Sequence, residues 1–223
     1  MPTLDRQDDV FILDLGDTEN RFHPDWLASV DALLDEVEKA EGPRALVTAA
    51  TGKFWSNGLD LEWLFAHADQ AGAYVTGVQA LLARFLTLPV ATVAALQGHT
   101  FAAGAMLSLA HDFRVMRADR GYWCLPEADI DIPFTPGMSA LIQARLHPQT
   151  AHEAMTTARR YGGLDALAER IVDGTAGEDE VREAAVAVAR PLAGKAGPTL
   201  GTIKTRMYGP ALEALRQEDV PLG

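Results

Sequence analysis

Three carboxylates on alternate residues, Glu127, Asp129 and Asp131, stand in the otherwise apolar run GYWCLPEADIDIP (121–133), between Pro126 and Pro133. On an extended segment they would share one face, where like charges repel and cannot all be buried cheaply. Either this is an edge carrying solvated acids, or one carboxylate is set apart for proton chemistry. Two glycine loops give the question weight: SNGLD (56–60) and FAAGA (101–105) each join a strand-like run to a helix-like one. Such junctions present backbone N–H groups without intrahelical partners, and the helix dipole adds to their pull on negative charge. Small residues let a ligand come close to the main chain. Two such donors converging on one point make an oxyanion hole; on local pattern alone, close helix–strand packing is the favoured reading of each loop. Two N–H clusters plus one carboxylate in an apolar pocket suit proton abstraction beside a thioester carbonyl, with desolvation raising the base's pKa.

Other chemistries find no footing. There is no G-x-x-x-x-G-K-[ST] and no G-x-G-x-x-G after a strand, so the triphosphate and dinucleotide fingerprints are missing. His147, His152 and Glu153 do not form H-E-x-x-H, and Gly137-Met138-Ser139 lacks the second glycine of a nucleophile elbow. Six scattered histidines without ligand spacing argue against a catalytic metal.

The elements that must position these residues follow from periodicity. DVFILDL (9–15) reads as a strand, GDTENRFHP as a turn, and residues 25–40 as a helix with apolar residues at Leu27, Val30, Leu33, Leu34 and Val37. Asp25 is the expected cap of that helix, after Pro24. RALVTAA (44–50) is a buried strand running into the first glycine loop and an amphipathic helix with Leu61, Leu64 and Phe65. After a helix over 75–88, VATVAALQG (90–98) repeats the pattern: strand, glycine loop, helix. FRVMR and GYWCLPE are further strands, and Thr135 caps a helix opened by Pro136. From residue 148 the chain turns helical and alanine-rich. The expected organisation is therefore an α/β core over 1–147 and a helical region over 148–223.

The totals bound the function. A chain of 223 residues with 48% apolar and 22% charged content builds a core without staples. The single Cys124 forms no internal disulfide and makes a reducing, cytoplasmic setting the expectation. The run VFIL is too short for a signal or anchor, and no stretch reaches the ~20 apolar residues of a membrane span. A net charge of −12 without a basic cluster argues against nucleic acid as a partner.

In order and spacing, the motifs resemble the enoyl-CoA hydratase/isomerase (crotonase) superfamily over nearly the whole chain. They are ENRF, KFWSNGLDLEWL, QGHTFAAGAMLSLAHDFRVM, YWCLPEADIDIPFTPGMSALI and GPTLGTIK. The resemblance implies an α/β fold, a spiral of ββα units with a helical C-terminal region used for oligomerisation. It further implies an acyl-CoA thioester substrate, no cofactor beyond the coenzyme A of that substrate, and a homotrimer or hexamer. By position, the backbone N–H groups of Leu59 and Ala103 form the oxyanion hole, and Glu127 is the catalytic carboxylate. Ser56, Asn57, Gly58, Asp60, Leu61 and Gly104 bind substrate.

Hydratases of this superfamily use two glutamates; the second matches Glu127, but the first falls at Met106. A thioether neither accepts nor delivers a proton. A lone glutamate at the Glu127 position is similar to Δ3,Δ2-enoyl-CoA isomerases, and Thr135 stands where dienoyl-CoA isomerases place an aspartate. The reading is an isomerase moving a double bond from the 3 to the 2 position; the alternatives are a hydratase and a non-catalytic acyl-CoA-binding subunit. Asp131 departs from a usual glycine and, like Asp129, is assigned to solvent or structural pairing. The short C-terminus leaves less helix for trimer contacts. Trp55, Trp63 and Trp123 read as packing or pocket walls, Cys124 as a small buried residue, His99 as satisfying backbone groups, and Lys204 as solvated.

Overall fold

The computed structural model describes residues 1–217. A hairpin of β1 (Thr3–Gln7) and β2 (Val10–Asp14) leads to α1 (Pro24–Lys39). There follow β3 (Ala45–Ala49), β4 (Phe54–Ser56), α2 (Leu61–Ala66), α3 (Ala71–Thr87), β5 (Ala91–Leu96), β6 (His99–Phe101) and α4 (Ala103–Ala110). Next come β7 (Phe113–Arg117), β8 (Trp123–Cys124), α5 (Pro136–Arg145), α6 (Pro148–Thr157) and α7 (Gly163–Ala168). The last are β9 (Gly174–Ala176), α8 (Val181–Ala189), α9 (Pro198–Met207) and α10 (Gly209–Leu215).

From β3 onward, three successive turns of the chain each supply one strand to each of two sheets and then a helix or helices. The larger sheet runs β1-β2-β3-β5-β7-β9, the smaller β4-β6-β8. Every pairing except β1–β2 is parallel, because a helical crossover returns the chain to the same end before the next strand begins. This is the expected α/β spiral of ββα units.

The central strands are covered on both faces, as parallel strands usually are. Leu46 and Ala94 point into the main core with α1, α3, α4 and α5, whereas Ala45, Val47, Val93 and Val115 pack beneath Val181, Ala185 and Val186 of α8. That alternation is the period-two signature of a strand.

Three expectations need revision. The cap of α1 is His23, whose ring accepts from the Asp25 amide, so Pro24 is the first helical residue. β1, β4, β6 and β9 were not visible as separate strands; they span five residues or fewer and three of them have mixed or partial burial. Between residues 148 and 217 the chain is mostly helical, yet it is not separate from the α/β core. β9 extends the larger sheet beside β7, α8 covers the back of that sheet, and α10 packs on α5 and α3.

Candidate active site

The first glycine loop leaves β4 and enters α2. The Asn57 amide donates to the Glu19 carbonyl at 2.9 Å, the Gly58 amide to Ser56 Oγ at 3.1 Å, and the Asp60 amide to the Tyr74 hydroxyl at 2.9 Å. Leu59, in their midst, has an amide without a partner among the described residues. The turn depends on Gly58, whose φ of +78° is a region L-residues enter only with strain. Ser56 is buried; its hydroxyl donates to the Asn20 carbonyl at 2.9 Å and holds the loop from behind. Asp60 caps α2, its Oδ1 accepting from the Trp63 amide at 3.2 Å.

The second loop leaves β6 and enters α4. Ala102 sits at φ +52°, a strained conformation for alanine, and its amide donates to the Cys124 carbonyl at 3.1 Å. This twist turns the chain so that the Ala103 amide opens α4, again without a partner among the described residues. Gly104 lies flat against Ser56: a Cβ there would stand 2.7 Å from the Ser56 carbonyl oxygen. The two loops are thus packed directly on one another.

The acidic segment is not extended. Residues 127–131 form a tight turn, with the Asp129 and Ile130 amides donating to the Pro126 carbonyl and the Ile132 amide to that of Glu127. The three carboxylates therefore do not share a face. Glu127 turns inward and is 7% exposed, while Asp129 and Asp131 are exposed. Asp131 adopts φ +55°, the left-handed conformation that explains why glycine suits this place and why aspartate is tolerated.

These segments enclose a cavity of about 260 Å³. Leu59, Ala103 and Glu127 meet on its wall with Asn57 and Leu61; Phe101, Met106, Ile132, Phe134 and Met138 make most of it apolar. Ser56, Gly58, Asp60 and Gly104 do not line it; they stand behind the wall and shape the two loops. Two of the lining residues that were given no role from sequence stand out. Arg21, within the quoted ENRF, is the one cation on the wall among the described residues. Ala102 contributes the strained turn, for which the only signal was a run of small residues before a helix.

Apolar surroundings push the Glu127 carboxyl up to about 7, against a small opposing pull from its own backbone amide. Its Oε2 is buried with no hydrogen-bond partner among the described residues. Met106, on α4, is 1% exposed and faces the same cavity. The site therefore joins two unpartnered N–H donors with one carboxyl group poised between its protonation states near neutrality.

Five other residues singled out in the sequence lie elsewhere. Lys204 is not solvated: it is 4% exposed and donates to Asp112 Oδ2 at 2.6 Å and to the Val90 carbonyl at 2.7 Å. His99 does not satisfy backbone groups with its ring, whose Nδ1 is buried without a partner among the described residues as the ring packs between Phe54, Phe101 and Tyr122. Trp55 and Trp123 are wholly buried core. Burial pushes the Cys124 thiol up to about 11, which leaves it a poor nucleophile.

The fold and the site define a crotonase-type α/β spiral. The enoyl-CoA hydratase/isomerase profile matches residues 7–218, and the chain belongs to that family. The peroxisomal enoyl-CoA delta isomerase 2 of Arabidopsis thaliana is 37% identical over 222 residues, covering 93% of this chain and 92% of the relative. The peroxisomal enoyl-CoA delta isomerase 1 of the same plant is 30% identical and covers 98% and 90%. Among solved structures, the apo enoyl-CoA isomerase of Mycobacterium tuberculosis superposes with a TM-score of 0.89 at 26% identity, over 96% of this chain and 94% of that one. The cytoplasmic expectation is overturned by the two plant relatives, both peroxisomal by name. A single cysteine says that no disulfide is needed, which does not distinguish one reducing compartment from another.

Proposed function

We propose that the protein is an enoyl-CoA isomerase that moves a double bond from the 3 to the 2 position of an acyl-CoA thioester. The observation that carries this reading is that Glu127 is the one carboxylate on the cavity wall among the described residues. Met106 occupies the position where hydratases of the family carry their other glutamate. Two plant relatives bearing the name enoyl-CoA delta isomerase support the same reaction.

In this mechanism the thioester oxygen accepts from the Leu59 and Ala103 amides, which form the oxyanion hole. Ionised Glu127 removes a proton from C2, and the electron pair spreads through the adjacent double bond as a dienolate. The negative charge that develops on the oxygen is stabilised by donors already in place, so no reorganisation is required at that moment. Glu127, now protonated, delivers the same proton to C4; the double bond then lies between C2 and C3, conjugated with the carbonyl. Nothing is gained or lost, and no cofactor beyond the coenzyme A of the substrate takes part. Asn57 and Leu61 contact the substrate directly, while Ser56, Gly58, Asp60 and Gly104 hold the loops that present the donors. A homotrimer or hexamer is the working assembly in this reading.

Glu127→Gln keeps the shape and removes the base. With 3-hexenoyl-CoA the variant is expected to lose at least about 100-fold in turnover, while the unaltered protein hydrates 2-hexenoyl-CoA far more slowly than it isomerises the 3-enoyl substrate. Unchanged isomerisation by the variant, or hydration as the faster wild-type reaction, would sink the proposal.

A further inference from the structure

Both amides that flank Leu59 are taken by side-chain oxygens. The Gly58 amide donates to Ser56 Oγ at 3.1 Å, and the Asp60 amide donates to the Tyr74 hydroxyl at 2.9 Å. Of the three consecutive amides, that of Leu59 alone has no partner among the described residues. The hydroxyl that holds Asp60 comes from outside the loop. Tyr74 is the fourth residue of α3, 5% exposed and packed into the main core. Its ring centre lies 5.1 Å from that of Trp63, whose amide donates to Asp60 Oδ1, so the backbone and the carboxylate of Asp60 are both held. Burial pushes the Tyr74 hydroxyl up to about 12, which keeps it a neutral acceptor throughout the range in which Glu127 titrates. α3 also packs on α4, whose first residue carries the Ala103 amide. One helix therefore braces both donors, the first through a hydroxyl and the second through packing.

A donor stabilises the developing charge only when it is aimed there in advance, and a misplacement of about 1 Å costs on the order of 100-fold in rate. Resting on the isomerase reading, we infer that Tyr74 is a positioning residue: by tying the Asp60 amide to α3, its hydroxyl fixes the adjacent Leu59 amide on the thioester oxygen. Tyr74 does not line the cavity, so it acts through Leu59 and not through contact with the substrate or Glu127.

Tyr74→Phe keeps the ring in the core and removes only the hydroxyl. With 3-hexenoyl-CoA, kcat is expected to fall at least about tenfold while KM stays within about twofold. The acid limb of the pH profile should not move, because Glu127 keeps its surroundings. The direct readout is the carbonyl stretch of isotope-labelled hexanoyl-CoA bound at saturation, read by difference infrared spectroscopy; this saturated thioester has no double bond to shift. Binding to wild type is expected to lower the carbonyl frequency, and binding to Tyr74→Phe to lower it less. Val75→Ala loosens α3 at the next residue without touching the Asp60 amide, and should give the wild-type shift. Equal shifts in wild type and Tyr74→Phe, or an equal loss in Val75→Ala, overturn the positioning role alone. Wild-type protein that isomerises no 3-enoyl-CoA overturns the isomerase reading, and the infrared comparison still decides whether Tyr74 aims the donor.

Discussion

A Cβ placed on Gly58 would stand 2.7 Å from the amide nitrogen of Ala103. The two glycine loops, separated by more than forty residues in sequence, are in direct backbone contact, and that contact sets how far apart the two free N–H groups lie. No side chain fits between them.

Gly58→Ala is therefore expected to force the loops apart and to place alanine at a φ of +78°. Since oxyanion donors are effective only when aimed at the developing charge, kcat should fall by about 100-fold or more. The strain should cost about 1–3 kcal/mol in denaturant unfolding. Steady-state kinetics on 3-hexenoyl-CoA checks this; kcat close to wild type would show that the spacing does not matter.

The Glu127 carboxyl, pushed up to about 7 by burial, gives a pH dependence of known sign. The base must be ionised, so kcat/KM should rise about tenfold per pH unit on the acid side and level off above about 7. Stability runs the other way. The folded state holds this proton more tightly than the unfolded chain, so the contribution is fully present below the ordinary carboxylate range and is lost as pH rises to about 7, at most about 3 kcal/mol. Unfolding of wild type and Glu127→Gln between pH 4 and 8 should show a decline in the first that is missing from the second.

Met106→Glu places a second carboxyl on the wall of a cavity that has one. Like charges in an apolar site raise each other's pKa, so the acid limb of the isomerase pH profile should move above its wild-type position, with lower turnover at pH 7. Water addition to 2-hexenoyl-CoA should become measurable, because two acids can then hold and activate a water. An unmoved acid limb would mean that the Met106 side chain does not share the electrostatic environment of Glu127.

Lys204→Met would leave Asp112 and the Val90 carbonyl without their buried partner, since Lys204 Nζ reaches them at 2.6 and 2.7 Å. Removing one half of a buried pair costs about 3–5 kcal/mol. The loss should appear in the denaturation midpoint, with kcat of the folded fraction unchanged, because α9 lies outside the cavity wall. A reduced kcat/KM at unaltered stability would instead give Lys204 a role in substrate binding.

Strand and helix periodicities, the Thr135–Pro136 helix start and the order of the two glycine loops were legible in the sequence because they rest on contacts within a few residues. Thr135 accepts from the Met138 amide three positions on, which a sequence window contains in full. The short strands β4 and β6 were not legible, since a three-residue strand exists only by virtue of its neighbour in the sheet. Likewise, His23 displaced Asp25 as the cap of α1 because which ring or carboxylate faces the first amides depends on the entry angle of the chain.

The sequence by itself determined that one carboxylate, two glycine loops and a methionine in place of a second acid would be available. Those are matters of residue type, and chemistry follows from type. Motif position already singled out Glu127 among the three acids; only the tertiary structure supplied the physical reason. In LPEADIDIP, alternation along an extended strand would have made Glu127, Asp129 and Asp131 equivalents, whereas the turn at 127–131 buries the first and leaves the other two in water. A raised pKa comes from desolvation, and desolvation is supplied by Met106, Phe134 and Met138, residues brought around Glu127 by the packing of α4 and α5.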